Sequence, residues 1–177
     1  MTNVYNFKDQ LTLGKLWEEA IIQHLLSKPE TMSVRDLSED REFQALGIDL
    51  LWTIENEQTW VLSATYLDVK TDLSLHKTWK IFIETLSSEI REGCMLSTKA
   101  DMFIYYDPIL WDLYYVPIFP LRQWYKRKWI SKVHKTVQNE GYESEWILVG
   151  IDELKAILPN LIVEKWPTIN IPESVDL

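Results

Sequence analysis

Trp60-Val61-Leu62-Ser63-Ala64-Thr65-Tyr66-Leu67-Asp68-Val69-Lys70 is an apolar run that ends in an acid and a lysine one residue apart. A second apolar run, Gly47-Ile48-Asp49-Leu50-Leu51-Trp52, places another acid 19 residues earlier. If the two runs are the strands of one hairpin, Asp49 and Asp68 project from neighbouring strands. Lys70 then shares a face with Asp68, because strand side chains alternate with period two. Two carboxylates and an ammonium group gathered this way are suited to holding a hard divalent cation beside a phosphodiester.

An acid on one strand, a variable gap, then acid-x-Lys on the next resembles the PD-(D/E)XK nuclease superfamily. Two positions depart from its pattern: Ile48 stands where the pattern has proline, and the second acid is Asp68 instead of the commoner Glu. The resemblance covers roughly residues 11 to 116. It implies a Mg2+-dependent DNA endonuclease, with Mn2+ as a substitute, in which Asp49, Asp68 and the backbone carbonyl of Val69 hold the metal. Lys70 would orient or help deprotonate the attacking water. The third acidic position of many such nucleases lies on an early helix, and here Glu18 follows Gly14 at the spacing of junction-resolving members; Glu19 is the alternative, since successive helix residues point about 100° apart. A pair of solvated glutamates favoured by the helix dipole is the other reading of these two. Restriction, homing, junction-resolving and mobile-element members are not separated by these residues.

Working outward, residues 14–26 read as an amphipathic helix with Leu16, Trp17, Ala20, Ile21 and Leu25 at helical spacing. Beyond the strand pair, Asp72 is expected to cap a helix with the stripe Leu75, Trp79, Phe82, Ile83, Leu86 and Ile90, stopped by Gly93. Glu84 on that helix resembles a helical glutamate that several branches of the family place near the site, though a surface role fits it equally. Residues 102–106 and 110–116 read as paired strands about an Asp107-Pro108 turn. A helix from Leu121 to Gln138, a strand from Trp146 to Ile151, a short helix from Asp152 to Leu158 and an extended piece from Leu161 to Trp166 follow. The tail from Pro167 to Leu177 reads as a strap or a frayed end. The expected fold class is α/β: a restriction-endonuclease-like core with a mixed central sheet flanked by helices, and C-terminal helical and strand additions over 117–177.

With 177 residues, 46% of them hydrophobic, the chain can bury one ample core as a single domain without a linker. Its one cysteine, Cys94, excludes an internal disulfide and a cysteine-based zinc cluster, and reads as a small apolar residue. His24, His76 and His134 fall on three different expected helices, which argues against a histidine metal site. Neither a glycine-rich phosphate loop nor a G-x-S-x-G elbow is present. No signal-like apolar core or membrane-length apolar run is seen either, so a cytoplasmic setting is expected.

A net charge of −9 opposes long-range attraction of a polyanion. Against it, the window Leu121–Lys135 holds Arg122, Lys126, Arg127, Lys128, Lys132 and Lys135 without an acid, interleaved with Trp124, Tyr125 and Trp129. Such residues can contact phosphates and stack on unpaired bases, and DNA is the expected partner; a solvated helix with buried aromatics is the alternative. A double-strand break by one small site per chain would require a homodimer, and the acidic balance leaves room for a protein partner. The second functional reading is a catalytically inactive nuclease-fold protein that acts as a DNA- or protein-binding regulatory subunit, with the 9 Trp and 8 Tyr supplying an interface.

Overall fold

The computed structural model describes residues 7–88, 91–128, 134–139 and 142–166. Its elements in chain order are α1 (Phe7–Leu26), β1 (Thr31–Asp36), α2 (Arg41–Ala45), β2 (Leu50–Asn56), β3 (Val61–Thr71), α3 (Leu75–Thr78), β4 (Lys80–Ser88), β5 (Arg91–Glu92), α4 (Cys94–Ser97), β6 (Met102–Asp107), β7 (Asp112–Pro117), α5 (Ile118–Lys128), β8 (His134–Asn139), β9 (Tyr142–Gly150), α6 (Ile151–Ile157) and β10 (Ile162–Lys165). The fold is mixed α/β. A central six-stranded sheet in the order β1-β2-β3-β6-β7-β10 is joined by a four-stranded sheet in the order β5-β4-β9-β8.

The hairpin expected from the two apolar runs is formed. β2 and β3 pair antiparallel with Leu50 opposite Leu67 and Asn56 opposite Val61. β3 then runs parallel to β6, with Asp68 opposite Phe103 and Lys70 opposite Tyr105, so the central sheet is mixed. β6 and β7 pair antiparallel as expected, with Met102 opposite Pro117 and Asp107 opposite Asp112.

These inner strands are apolar on both faces because both faces are covered. Ile104, Tyr106, Leu113 and Tyr115 pack with Leu50 and Leu67 against Trp17, Ile21, Ile22 and Leu25 of α1. The alternate residues Phe103, Tyr105, Tyr114 and Val116 pack on the other side with Ile81 and Ile83 of β4, Ile147 and Val149 of β9, Met95 of α4 and Leu121 and Trp124 of α5. Each fully buried Ile or Leu in these layers contributes about 1.5–3 kcal/mol relative to exposure. The second sheet and the small helices therefore cover the face opposite α1.

The expected helix over 72–90 is replaced by one helical turn and a strand. Trp79 adopts a left-handed φ of 52° and its N–H donates to the Leu75 carbonyl, which ends α3 after four residues. Residues from Lys80 onward pair with β9, and Ile81, Ile83 and Thr85 alternate inward with no exposure. Of the expected helix Leu121–Gln138, the part to Lys128 belongs to α5, residues 129–133 lie outside the described residues, and His134–Asn139 is the edge strand β8; His134 is thus on a strand. β1, an edge strand paired with β2, was not foreseen. Trp129, Lys132 and the tail 167–177 lie outside the described residues. No helix among the described residues is long and apolar enough to cross a membrane.

Candidate metal and phosphodiester site

Asp49 is the first residue before β2 and is held on three sides. Its N–H donates to the Leu67 carbonyl at 2.9 Å and its own carbonyl accepts from Leu37 N–H at 2.8 Å. Its Oδ2 accepts from Val69 N–H at 2.7 Å. The turn that delivers it depends on Gly47, which has a φ of +65° and whose absent Cβ would stand 3.0 Å from Thr98 Oγ1. Thr98, fully enclosed, donates that hydroxyl to the Gly47 carbonyl at 2.6 Å. A side chain at position 47 would therefore displace the segment that carries the acid.

Because Leu50 pairs with Leu67, Asp49 and Asp68 are the next residues along the same hairpin. Asp68 is only 1% exposed. Lys70 Nζ stands 2.5 Å from Asp68 Oδ1, with 34% of the lysine side chain exposed. Neither oxygen of Asp68 receives a well-directed hydrogen bond. Burial pushes the Asp68 carboxyl up to about 6, with Lys70 opposing and the charge of Asp49 adding to the rise. For Lys70, burial pulls the pKa down, but the charge of Asp68 and smaller contributions from Cys94 and Asp49 more than offset it, leaving the amine above its ordinary range. Lys70 is therefore an ammonium ion at neutral pH.

Glu18 lies on α1, across the sheet from Lys70, and lines a cavity of about 570 Å³ with Asp49, Lys15, Ser38 and Glu39. Burial, then the charge of Asp49, raises the Glu18 pKa. Glu19 is exposed and accepts from Gln23 at 2.9 Å, so of the two glutamates Glu18 is the one beside Asp49. Lys70 lines a different cavity, of about 490 Å³, and the enclosed Asp68 lines neither.

Glu84, expected on a helix, is on β4 and reaches the Lys70 side through the strand alternation opposite Ile83. Its Oε2 accepts from Cys94 N–H at 3.1 Å, and burial raises its pKa against the pull of that N–H and of Lys70. Cys94 is pushed up to about 11 by burial, with Lys70 opposing; it is a thiol at neutral pH. Sequence reasoning missed the groups that surround Lys70: Asp72, Phe82, Cys94 and Trp146. The alternation Ile81, Ile83, Thr85 was the signal that would have placed Phe82 and Glu84 together on the opposite face.

In the basic window, Arg122 is committed to the fold. Its Nε donates to the Met95 carbonyl and its Nη2 to the Thr98 carbonyl, tying α5 to the end of α4. Lys126, Arg127 and Lys128 are exposed on the last turn of α5.

Asp49, just before β2, and Asp68 on β3, whose enclosed Oδ1 faces the Lys70 ammonium, carry the oxygen donors that suit a hard, oxygen-seeking ion. No set of three His, Cys, Asp or Glu side chains among the described residues lies close enough to hold one.

No protein-family model matches the chain, and no curated protein matches it. Among solved structures, a nuclease from a fusselovirus is similar over 89% of this chain and 95% of its own, at 16% identity and a TM-score of 0.36.

Proposed function

We propose that this protein is a metal-dependent endodeoxyribonuclease of the PD-(D/E)XK type. The observation that carries the reading is the adjacency of Asp49 and Asp68 on one hairpin with the Lys70 ammonium against Asp68. Asp49, Asp68 and the Val69 carbonyl would hold Mg2+ or Mn2+, with Glu18 approaching from the α1 side. Such an ion, when bound, polarises a phosphoryl oxygen and acidifies a water.

The chain's own groups then divide the remaining work. Asp68, with its pKa near 6, must be ionised to bind a cation, so activity should rise with pH through that region. Lys70, already protonated, cannot take a proton from water; it donates hydrogen bonds, fixing the nucleophile and offsetting charge as the phosphorus becomes five-coordinate. Exposed Lys126, Arg127 and Lys128 offer phosphate contacts whose effect should weaken with salt. DNA is the proposed substrate, and two copies of the chain would be needed for a double-strand break.

A specific observation favours a second reading, a nuclease-fold protein without activity: both Asp68 oxygens are shut away from solvent. Incubating purified protein with supercoiled plasmid, four-way junctions and single strands in Mg2+, Mn2+ or chelator separates the two. Metal-dependent nicking lost in Asp68→Ala and Lys70→Ala, with folding retained and a melting temperature raised by Mg2+ in the wild type alone, is the expected result. Binding without cutting would support the inactive reading, and cutting that survives both substitutions would remove these residues from the chemistry.

A further inference from the structure

The cavity of about 490 Å³ beside Lys70 shares only that residue with the chemistry proposed above. It lies where the end of β3 meets β4 and β9, and Lys70, Asp72, Phe82, Glu84, Cys94 and Trp146 line it. The rings of Phe82 and Trp146 meet edge to face, 6.1 Å apart at 81°. Both are braced: Tyr105 OH donates to the Phe82 carbonyl at 2.9 Å, and Trp146 Nε1 donates to Ser144 Oγ at 2.5 Å.

The lining carries two carboxylates, Asp72 and Glu84, beside the Lys70 ammonium and the hydroxyls of Thr71 and Ser74. Glu84 accepts from Cys94 N–H through Oε2. Asp72 spends Oδ1 on the N–H and hydroxyl of Ser74, and its Oδ2 has no hydrogen-bond partner. Two carboxylates against one ammonium make the cavity unfavourable for a second phosphate. They suit an occupant that is flat, uncharged and rich in N–H donors. The volume falls within the range of sites that enclose small ligands, about 300–1,000 Å³.

We propose that this cavity receives a single nucleobase swung out of the strand whose phosphodiester lies at Asp49 and Asp68, stacked on Trp146 with the Phe82 ring at its edge and its amino edge toward Glu84. The inference rests on the nuclease reading, because Lys70 belongs to both places: its Nζ touches Asp68 Oδ1 while its side chain forms part of the cavity lining. An occupant is thereby held beside the phosphodiester, where an adjoining base would lie. Unstacking a base is least costly in single-stranded or mismatched DNA, so the substrate class is DNA with unpaired nucleotides at the cut.

The test uses a short single-stranded DNA with one 2-aminopurine, scanned along the strand, and the same strand with an abasic site at that position. Both are bound to wild-type protein with Ca2+ in place of Mg2+. The expected result is a position at which 2-aminopurine emission is quenched on binding and at which the abasic strand binds about tenfold more weakly, the scale of one base-aromatic stack. Trp146→Ala should abolish both effects, and Phe82→Leu, which keeps the core filled, should reduce them; thermal melting confirms that each variant is folded. Equal affinity for the two strands with unquenched emission at every position would overturn the cavity's assignment even where the wild type nicks plasmid. Base-dependent binding without nicking would instead overturn the nuclease reading and leave the cavity as a base-binding site.

Discussion

Enclosing Asp68 should leave a signature in the pH dependence of stability that can be measured without any substrate. Its carboxyl is raised from 3.8 to about 6 in the folded protein, so between those values the native state binds a proton that the unfolded chain has released. Stability must then fall as pH rises through this window: the penalty is absent below the unfolded pKa and complete above the folded one. A shift of about two pH units corresponds to about 3 kcal/mol at neutral pH, of which about 1 kcal/mol should be recovered between about pH 7 and about pH 5. Urea unfolding of the wild type and of Asp68→Asn at both pH values measures this as a difference of differences. Glu18 and Glu84, also raised by burial, contribute with the same sign to both proteins and cancel. The wild type should gain about 1 kcal/mol more than the variant on acidification. An identical pH response in the two proteins, with both folded by circular dichroism, would show that Asp68 is solvated and that the enclosed pairing with Lys70 is wrong.

Two further substitutions test how the site is supported. Arg122→Ala removes two charge-assisted hydrogen bonds to the Met95 and Thr98 carbonyls and should cost about 2 kcal/mol, seen as a melting temperature lower by about 4–8 °C; an unchanged melting temperature would return Arg122 to the phosphate-binding candidates. Gly93→Ala places a Cβ 2.5 Å from the Glu84 carbonyl oxygen and 2.7 Å from the Thr85 carbonyl carbon. It should lower the urea midpoint by an amount equivalent to more than about 2 kcal/mol, and a neutral effect would mean that β4 and α4 can separate at no cost.

What the sequence revealed was governed by how local each signal is. The β2-β3 hairpin was legible because two apolar runs near one another left few other pairings, and β6-β7 because Asp107-Pro108 marks their turn. The segment from Leu75 to Ile90 misled because it satisfies two periods at once. Leu75, Trp79, Phe82, Ile83 and Leu86 recur at helical spacing, while Ile81, Ile83 and Thr85 alternate as a strand. Tertiary pairing with β9, about 65 residues further along the chain, decided for the strand. The edge strands β1 and β8, Thr31–Asp36 and His134–Asn139, contain too few apolar residues in sequence to show alternation. The acid-x-Lys pair could be read from its spacing, whereas the aromatic wall near Lys70 depends on Trp146 from a distant strand, and the bonds from Arg122 to the Met95 and Thr98 carbonyls join segments more than 20 residues apart.

The same hairpin that joins Asp49 to Asp68 closes a short loop, while the wall supplied by β9 requires long-range closure of the chain. Loop entropy therefore ranks the two halves in time and in endurance. A nascent chain can bring its carboxylates together well before it shelters Lys70. Any partial opening that releases β9 would strip the aromatic wall first, leaving the acids paired and Lys70 open to water.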